Sequence, residues 1–194
     1  MTATILPLPI SGPLFEGAIA VYGEAFALPP YSDPDRGAEV RQRLRDVHSV
    51  RPGFAAFAAI LGDGEVVGMT YGYHGLRGQW WHDTVARALP SREVNRWLDD
   101  SYELVEIAVA PEHQGEGIGA ALIAQLLGQR PERTCVLSTR ADSRAHNLYS
   151  REGFEVVTIM SFSPGGAPFY VMGRDLPYAA PAGSTASRGK RGQA

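Results

Sequence analysis

One stretch constrains this chain more than any other: Glu106-Ile-Ala-Val-Ala-Pro-Glu-His-Gln-Gly-Glu-Gly-Ile-Gly-Ala120. An apolar strand, predicted over Tyr102 to Val109, is ended by Pro111. A short turn follows, and Gly117 to Leu127 then has helical spacing, with Leu122 and Leu126 four apart. Gly128 and Pro131 punctuate its end. The peptide N–H groups at such a helix start have no partner within the helix, and the helix dipole adds positive potential there. Gly115, Gly117 and Gly119 lack side chains, so a phosphate can approach the backbone. The turn therefore reads as a site for a phosphate or pyrophosphate.

Three kinds of ligand compete for it. An ATP-binding P-loop needs a Lys directly after its glycines, and the only Lys in the chain is Lys190. A dinucleotide fold needs G-x-G-x-x-G/A, which Gly115, Gly117 and Ala120 satisfy in form. Only about 75 residues follow, too few for the rest of a doubly wound sheet. The expected acidic residue is also missing, since Ser138 to Arg140 occupy that place. The third kind enters only with a family resemblance, carried by Gln114-x-x-Gly117-x-Gly119.

The rest of the chain sets the frame. Its 194 residues are 44% hydrophobic, enough for one domain with a full core and too apolar for a disordered chain. A net charge of −3 does not indicate a nucleic-acid face. No uninterrupted apolar run reads as a membrane helix, and no charged start of a signal peptide precedes Arg36. Cys135 stands alone, and no Cys/His cluster has zinc-ligand spacing, so no metal and a reducing cytoplasm are expected. Residues 1–13 suggest one short strand. Leu14 to Ala27 is a helix stopped by Pro29-Pro30. A second helix is expected from Ser32-Asp33-Pro34 to about Ser49, with Val40, Leu44 and Val47 inward and its arginines on a solvated face. Phe54–Leu61 and Glu65–Tyr73 form a hairpin around Asp63-Gly64. Trp80-Trp81 precede a helix over Ser91–Leu98. Thr134–Thr139 is a strand, Asp142–Arg151 a helix stopped at Gly153, and Phe154–Phe162 and Phe169–Arg174 are the last strands. One domain over 1–176 and a disordered tail over 177–194 are expected.

Gln114-x-x-Gly117-x-Gly119 resembles the Q/R-x-x-G-x-G/A acyl-CoA loop of the GNAT superfamily of N-acetyltransferases. Ile107-Ala-Val-Ala-Pro111 is similar to that family's fourth strand. Ala145-His-Asn-Leu-Tyr149 with Gly153-Phe154 is similar to its A-x-x-L-Y-x-x-x-G-F motif. The close resemblance spans about residues 103–160. It implies an α/β (α+β) fold: a mixed, mostly antiparallel sheet of six or seven strands with about four helices. Strands four and five splay apart to admit pantetheine.

The resemblance also implies roles. Gln114, Gly115, Glu116, Gly117, Ile118, Gly119 and Ala120 would hold the pyrophosphate of acetyl-CoA. Backbone at Ile107, Ala108 and Val109 would pair with pantetheine and polarise the thioester. The family's Asn at the next helix start is absent. Asp142 or Ser143 stands there, and Asn147 is a nearby substitute. Tyr149 matches the general acid that protonates the departing thiolate. The base is Glu106 or Glu103, or a chain of water. Their odd separation would face them oppositely on a regular strand, unless a bulge intervenes. Glu106 is preferred because it sits nearer the expected thioester carbon.

The expected reaction moves acetyl from acetyl-CoA to a primary amine. A compact cationic small molecule is preferred on the acidic overall charge. Peptide or protein amines, and a non-catalytic acyl-CoA sensor, are the alternatives. Trp80, Trp81, His82 and Asp83 would either cover the acceptor site or form a surface between two copies. His74, Trp81 and His82 are the candidate acceptor contacts. His113 reads as solvated and Cys135 as a small core residue.

Overall fold

A computed structural model of the protein describes residues 3–181. The elements run β1 (Thr4–Pro7), α1 (Pro13–Ala27), α2 (Arg36–Arg43), β2 (Ala55–Ile60), β3 (Val66–Gly75), α3 (Trp80–Ala88), α4 (Ser91–Trp97), β4 (Ser101–Val109), α5 (Ile118–Leu127), β5 (Thr134–Arg140), α6 (Ala145–Arg151), β6 (Glu155–Met160) and β7 (Phe169–Asp175). Seven strands form one sheet in the order β1-β2-β3-β4-β5-β7-β6. Every pairing is antiparallel except β4 with β5. The expected mixed, mostly antiparallel sheet is thus present, with six α-helices among the described residues rather than about four.

Each face of the sheet is covered by apolar helix surface. On one face, Phe15, Ala18, Ile19, Tyr22 and Phe26 of α1 and Val40 of α2 pack on Met69, Tyr71 and Tyr73 of β3. On the other, Ile123, Leu126 and Leu127 of α5 pack on Tyr102, Leu104 and Leu137. Cys135 lies fully buried in that second cluster, as the sequence suggested.

Two features of the sheet make the site. Parallel pairing of β4 with β5 covers only Ser101 to Glu103 against Thr134 to Val136. Beyond it the strands separate, leaving the β5-facing edge of residues 104–109 without a strand partner. This is the expected splay. The second feature is a bulge. Tyr71 pairs with Glu106, but the next residue, Gly72, pairs with Leu104, so Val105 is an extra residue on β4. Tyr71 and Tyr73 are two apart and share a face, so their partners Glu106 and Glu103 share it too. A side chain at Gly72 would collide with the Glu103 carbonyl, so the bulge needs glycine opposite it.

Several local expectations differ from the structure. The second helix is interrupted: Leu44–His48 forms a π-turn closed by the Ser49 N–H on the Leu44 carbonyl. The extra residue rotates Val47 outward, 44% exposed, and turns His48 inward. The arginines are not all on a solvated face either, because Arg36, Val40 and Arg43 follow the helical i, i+4, i+7 spacing and turn inward together. Trp80 and Trp81 open a helix of their own, α3, with buried His82 and Val85. The helix expected from Asp142 starts only at Ala145. Tyr178, expected to lie in a disordered tail, is instead held in place, its hydroxyl donating to Glu152 at 2.5 Å. The rest of that tail, residues 182–194, lies outside the described residues.

Candidate active site

The splay opens into a cleft of about 1420 Å³. Two walls of different make enclose it.

The first wall is backbone. After β4, Pro111–His113 makes a single 3₁₀ turn and Gly117 takes φ +84°, a left-handed conformation that suits glycine. The first helical bond runs from the Ala121 N–H to the Gly117 carbonyl at 3.1 Å. Among the described residues, no peptide N–H from Gly115 to Ala120 donates to a backbone carbonyl outside regular elements. Gly115, Gly117, Gly119 and Ala120 line the cleft, so those donors border it at a helix start, where an anion is favoured. The Gln114 amide folds back to donate to the Val109 carbonyl at 3.1 Å, tying the loop to the strand end. Ile107, Ala108 and Val109 line the cleft along the unpaired edge of β4.

Not all the residues proposed for the cofactor share this wall. Ile118 turns its side chain into the core with Leu61 and Leu122. Glu116 leans on His113, 3.4 Å away. Both are left with only their N–H groups to offer. Asn147 is exposed and off the cleft. Asp142 lines the cleft, but its carboxylate is held by Arg140 at 2.6 and 2.9 Å. Ser143 is the residue that turns inward, its Oγ accepting from the Ala145 N–H at 3.2 Å. Beside the turn, ligand atoms of Glu65, Glu112 and His113 lie within 4.8 Å of one another on the surface. His113 itself lines the cleft and is not simply solvated.

The second wall is built of side chains. Glu103 and Glu106 line the cleft together, 4% and 9% exposed. Burial pushes the Glu103 carboxyl up to about 8, with Arg51 opposing and Glu106 adding to the rise. Burial raises Glu106 as well, but Arg36 and Arg43 oppose it. Their guanidinium nitrogens stand 3.8 and 3.6 Å from the same Glu106 oxygen. The two arginines thus offset part of the rise at Glu106, whereas Glu103 holds its proton at neutral pH. His48 bonds Tyr71 Oη at 3.0 Å through its Nδ1, and burial lowers it to about 4, so its ring is neutral. Tyr149 lines the cleft near the β4 edge, 5% exposed, and burial raises its phenol above the usual range. It stays protonated at any working pH.

The acceptor candidates divide. Trp81 lines the cleft, its indole donating to Ser138 Oγ on β5 at 3.0 Å. His74 does not: it pairs with buried Glu132 at 3.2 Å, away from the cleft. His82 is buried against Asp83 at 3.1 Å and faces a separate small hollow. An imidazole at a strand end or in a helix start turns toward the nearest acid when one is in reach. Arg36, Arg43 and Arg51 are functional candidates that the sequence reading missed. The inward spacing of Arg36, Val40 and Arg43 was the available signal.

The chain is similar to known proteins in sequence and in fold. A family model described as an acetyltransferase (GNAT) domain matches residues 55–156. The chain belongs to the GNAT acetyltransferase family. The GCN5-like protein acetyltransferase Rv2170 of Mycobacterium tuberculosis is 36% identical over 130 residues, which is 62% of this chain and 63% of that protein. The match thus spans just under two thirds of that relative's length. A Corynebacterium glutamicum structure, histone acetyltransferase HPA2 and related acetyltransferase, superposes with TM-score 0.63 at 22% identity over 94% of this GNAT chain and 99% of the other. A Sinorhizobium meliloti GNAT phosphinothricin acetyltransferase in complex with acetyl-CoA gives TM-score 0.59 at 22% identity over 99% and 95%. At that identity both establish the fold.

Proposed function

We propose that this protein is an acetyl-CoA-dependent N-acetyltransferase acting on a primary amine of a small molecule, with residues 1–176 as its single catalytic domain. A single observation carries the reading. The unpaired amides of 115–120, the open edge of β4, Tyr149 and the two bulge-aligned glutamates line one cleft. The glycine turn would take the pyrophosphate of acetyl-CoA, and the edge at Ile107 to Val109 would pair with pantetheine. The single buried thiol, Cys135, suits a reducing compartment such as the cytoplasm.

The chemistry then runs through this chain's own groups. Ionised Glu106 takes a proton from the acceptor ammonium, directly or through water, and relays it to solvent. The freed amine attacks the thioester carbon, and the proton that the adduct's nitrogen must then lose passes to Glu106, again ionised after its relay to solvent. The carbon–sulfur bond breaks, and Tyr149 donates its phenolic proton to the leaving thiolate before recovering one from solvent. The products are an N-acetyl amine and free CoA. A positioned acid of this kind contributes about 10²- to 10⁴-fold. The presence of both acid and base in one cleft favours an enzyme over an acyl-CoA sensor.

Thermal shift tests the first half: CoA and acetyl-CoA raise Tm, while NAD and ATP do not. Release of free thiol across an amine panel tests the second. A second reading has one observation behind it: the 36% identical relative is named a protein acetyltransferase. Lysine-containing and N-terminal peptides in the same panel separate the two, since the small-molecule reading fails if peptides alone are acetylated.

A further inference from the structure

We propose that the acceptor amine also carries a carboxylate, and that Arg43 and Arg51 at the acceptor end of the cleft bind it. This rests on the acetyltransferase reading and narrows its substrate class. Beside Arg144, Arg151, Asp142 and Glu152, which balance in charge, the cleft is lined by three guanidinium groups, those of Arg36, Arg43 and Arg51, and two buried carboxylates, Glu103 and Glu106. Positive charge is therefore in excess there even with both acids ionised.

The three arginines are not equally free. Arg36 is committed: its Nε donates to Tyr22 Oη at 2.9 Å, and its guanidinium stacks 4.7 Å from the Phe26 ring. Arg43 is not. It stands 3.6 Å from Glu106, beyond the roughly 2.7–2.9 Å of a charge-assisted hydrogen bond, and its buried Nε has no partner. Arg51 stacks 4.4 Å over Tyr73 and, among the described residues, forms no ion pair within 4.0 Å. A guanidinium seated over an aromatic ring with its donors unspent is a fork for a planar carboxylate.

The arrangement is complementary to a zwitterion. An ammonium group beside Glu106 and a carboxylate on Arg43 and Arg51 would satisfy both signs of charge in one small molecule. A simple cationic amine would leave the excess positive charge unanswered, so the acidic overall charge is a poor guide to this acceptor. Trp81, Phe162 and Phe169 give the same cleft an apolar side for the acceptor's body.

The experiment uses the full chain with acetyl-CoA and matched probes: amino acids, their amides, and the corresponding decarboxylated amines. The wild-type protein is expected to acetylate at least one amino acid with kcat/KM about tenfold or more above its amide and its decarboxylated amine. Arg51→Gln should shrink that ratio about tenfold or more, with Arg51→Lys restoring part of it. Wild-type turnover that is equal for acid and amide, or confined to amines without an acid, overturns the proposal and leaves the acetyltransferase reading intact. So does acetyl-CoA binding by calorimetry with no carboxylate-bearing amine consumed. Failure to bind acetyl-CoA at all overturns both. The wild-type comparison decides the matter even if a variant does not fold.

Discussion

The two walls of the cleft are built on different principles. One is a continuous piece of main chain, where Gly115 to Ala120 offer peptide donors and almost no side chain. The other is assembled from side chains that are far apart in sequence, with Arg36 and Arg43 on α2, Arg51 after the π-turn and Glu103 and Glu106 on β4. A backbone site depends on local conformation and tolerates drift elsewhere. A side-chain site depends on how whole elements are docked. Here the docking is close: a Cβ at Gly37 of α2 would lie 3.2 Å from the Gly23 Cα of α1. That approach brings Arg36 and Arg43 over the bulge.

The largest expected effect lies between the walls. Tyr149→Phe should lower kcat by about 10²- to 10⁴-fold with little change in acetyl-CoA affinity, read by steady-state kinetics and calorimetry. Wild-type turnover in that variant would remove Tyr149 from the chemistry. On the backbone wall, Gly117→Glu forces a side chain into a left-handed turn and sets a negative charge beside the pyrophosphate site. Acetyl-CoA should bind roughly 100-fold more weakly, a loss of about 2.8 kcal/mol, while circular dichroism stays native. Unchanged affinity would mean that the diphosphate lies elsewhere.

On the side-chain wall, the two glutamates are separable by pH. With Glu106 as base, Glu106→Gln should lower kcat strongly at every pH. Glu103→Gln should leave a large residual rate, so its kcat/KM against pH no longer shows a step near the value of about 8 assigned to Glu103. If Glu103→Gln is the dead variant, the roles are exchanged. Stability gives an independent reading. Glu103 has its folded value raised from 4.5 to about 8, so between those values the native state binds more protons than the unfolded one. Stability attributable to this group is present at low pH and is lost as pH rises through that window. Glu103→Gln should therefore raise Tm by a few degrees, most clearly at pH 8 and above. The smallest effect belongs to the rim. Trp81→Phe removes the bond to Ser138 Oγ, and about 1 kcal/mol corresponds to a Tm fall of roughly 2–4 °C.

Much of the first wall could be read directly from residues 106–120. Proline ends the strand, glycines shape the turn, and the spacing of Leu122 and Leu126 starts the helix. Each of those is a local steric or hydrogen-bonding constraint that acts within a few residues. The second wall was legible only in its parts. Glu103 and Glu106 were visible as candidates, but whether a bulge brought them onto one face was left open by their odd spacing and is decided by the register at Val105. His74 and His82 had suitable chemistry, yet each is drawn to an acid, Glu132 or Asp83, whose proximity no pattern announced.

The sequence by itself determined where a strand, a glycine turn and a helix meet, and therefore where unpaired amides collect. Tertiary structure alone decided which charged side chains face the opening. A π-turn re-aimed the end of the second helix, an extra residue in β4 aligned two carboxylates, and glycine-to-glycine contact set α2 against α1. The physical reason is range. Backbone donors are oriented by the torsions of their own residues, whereas the direction of a side chain in space is inherited from the packing of the element that carries it.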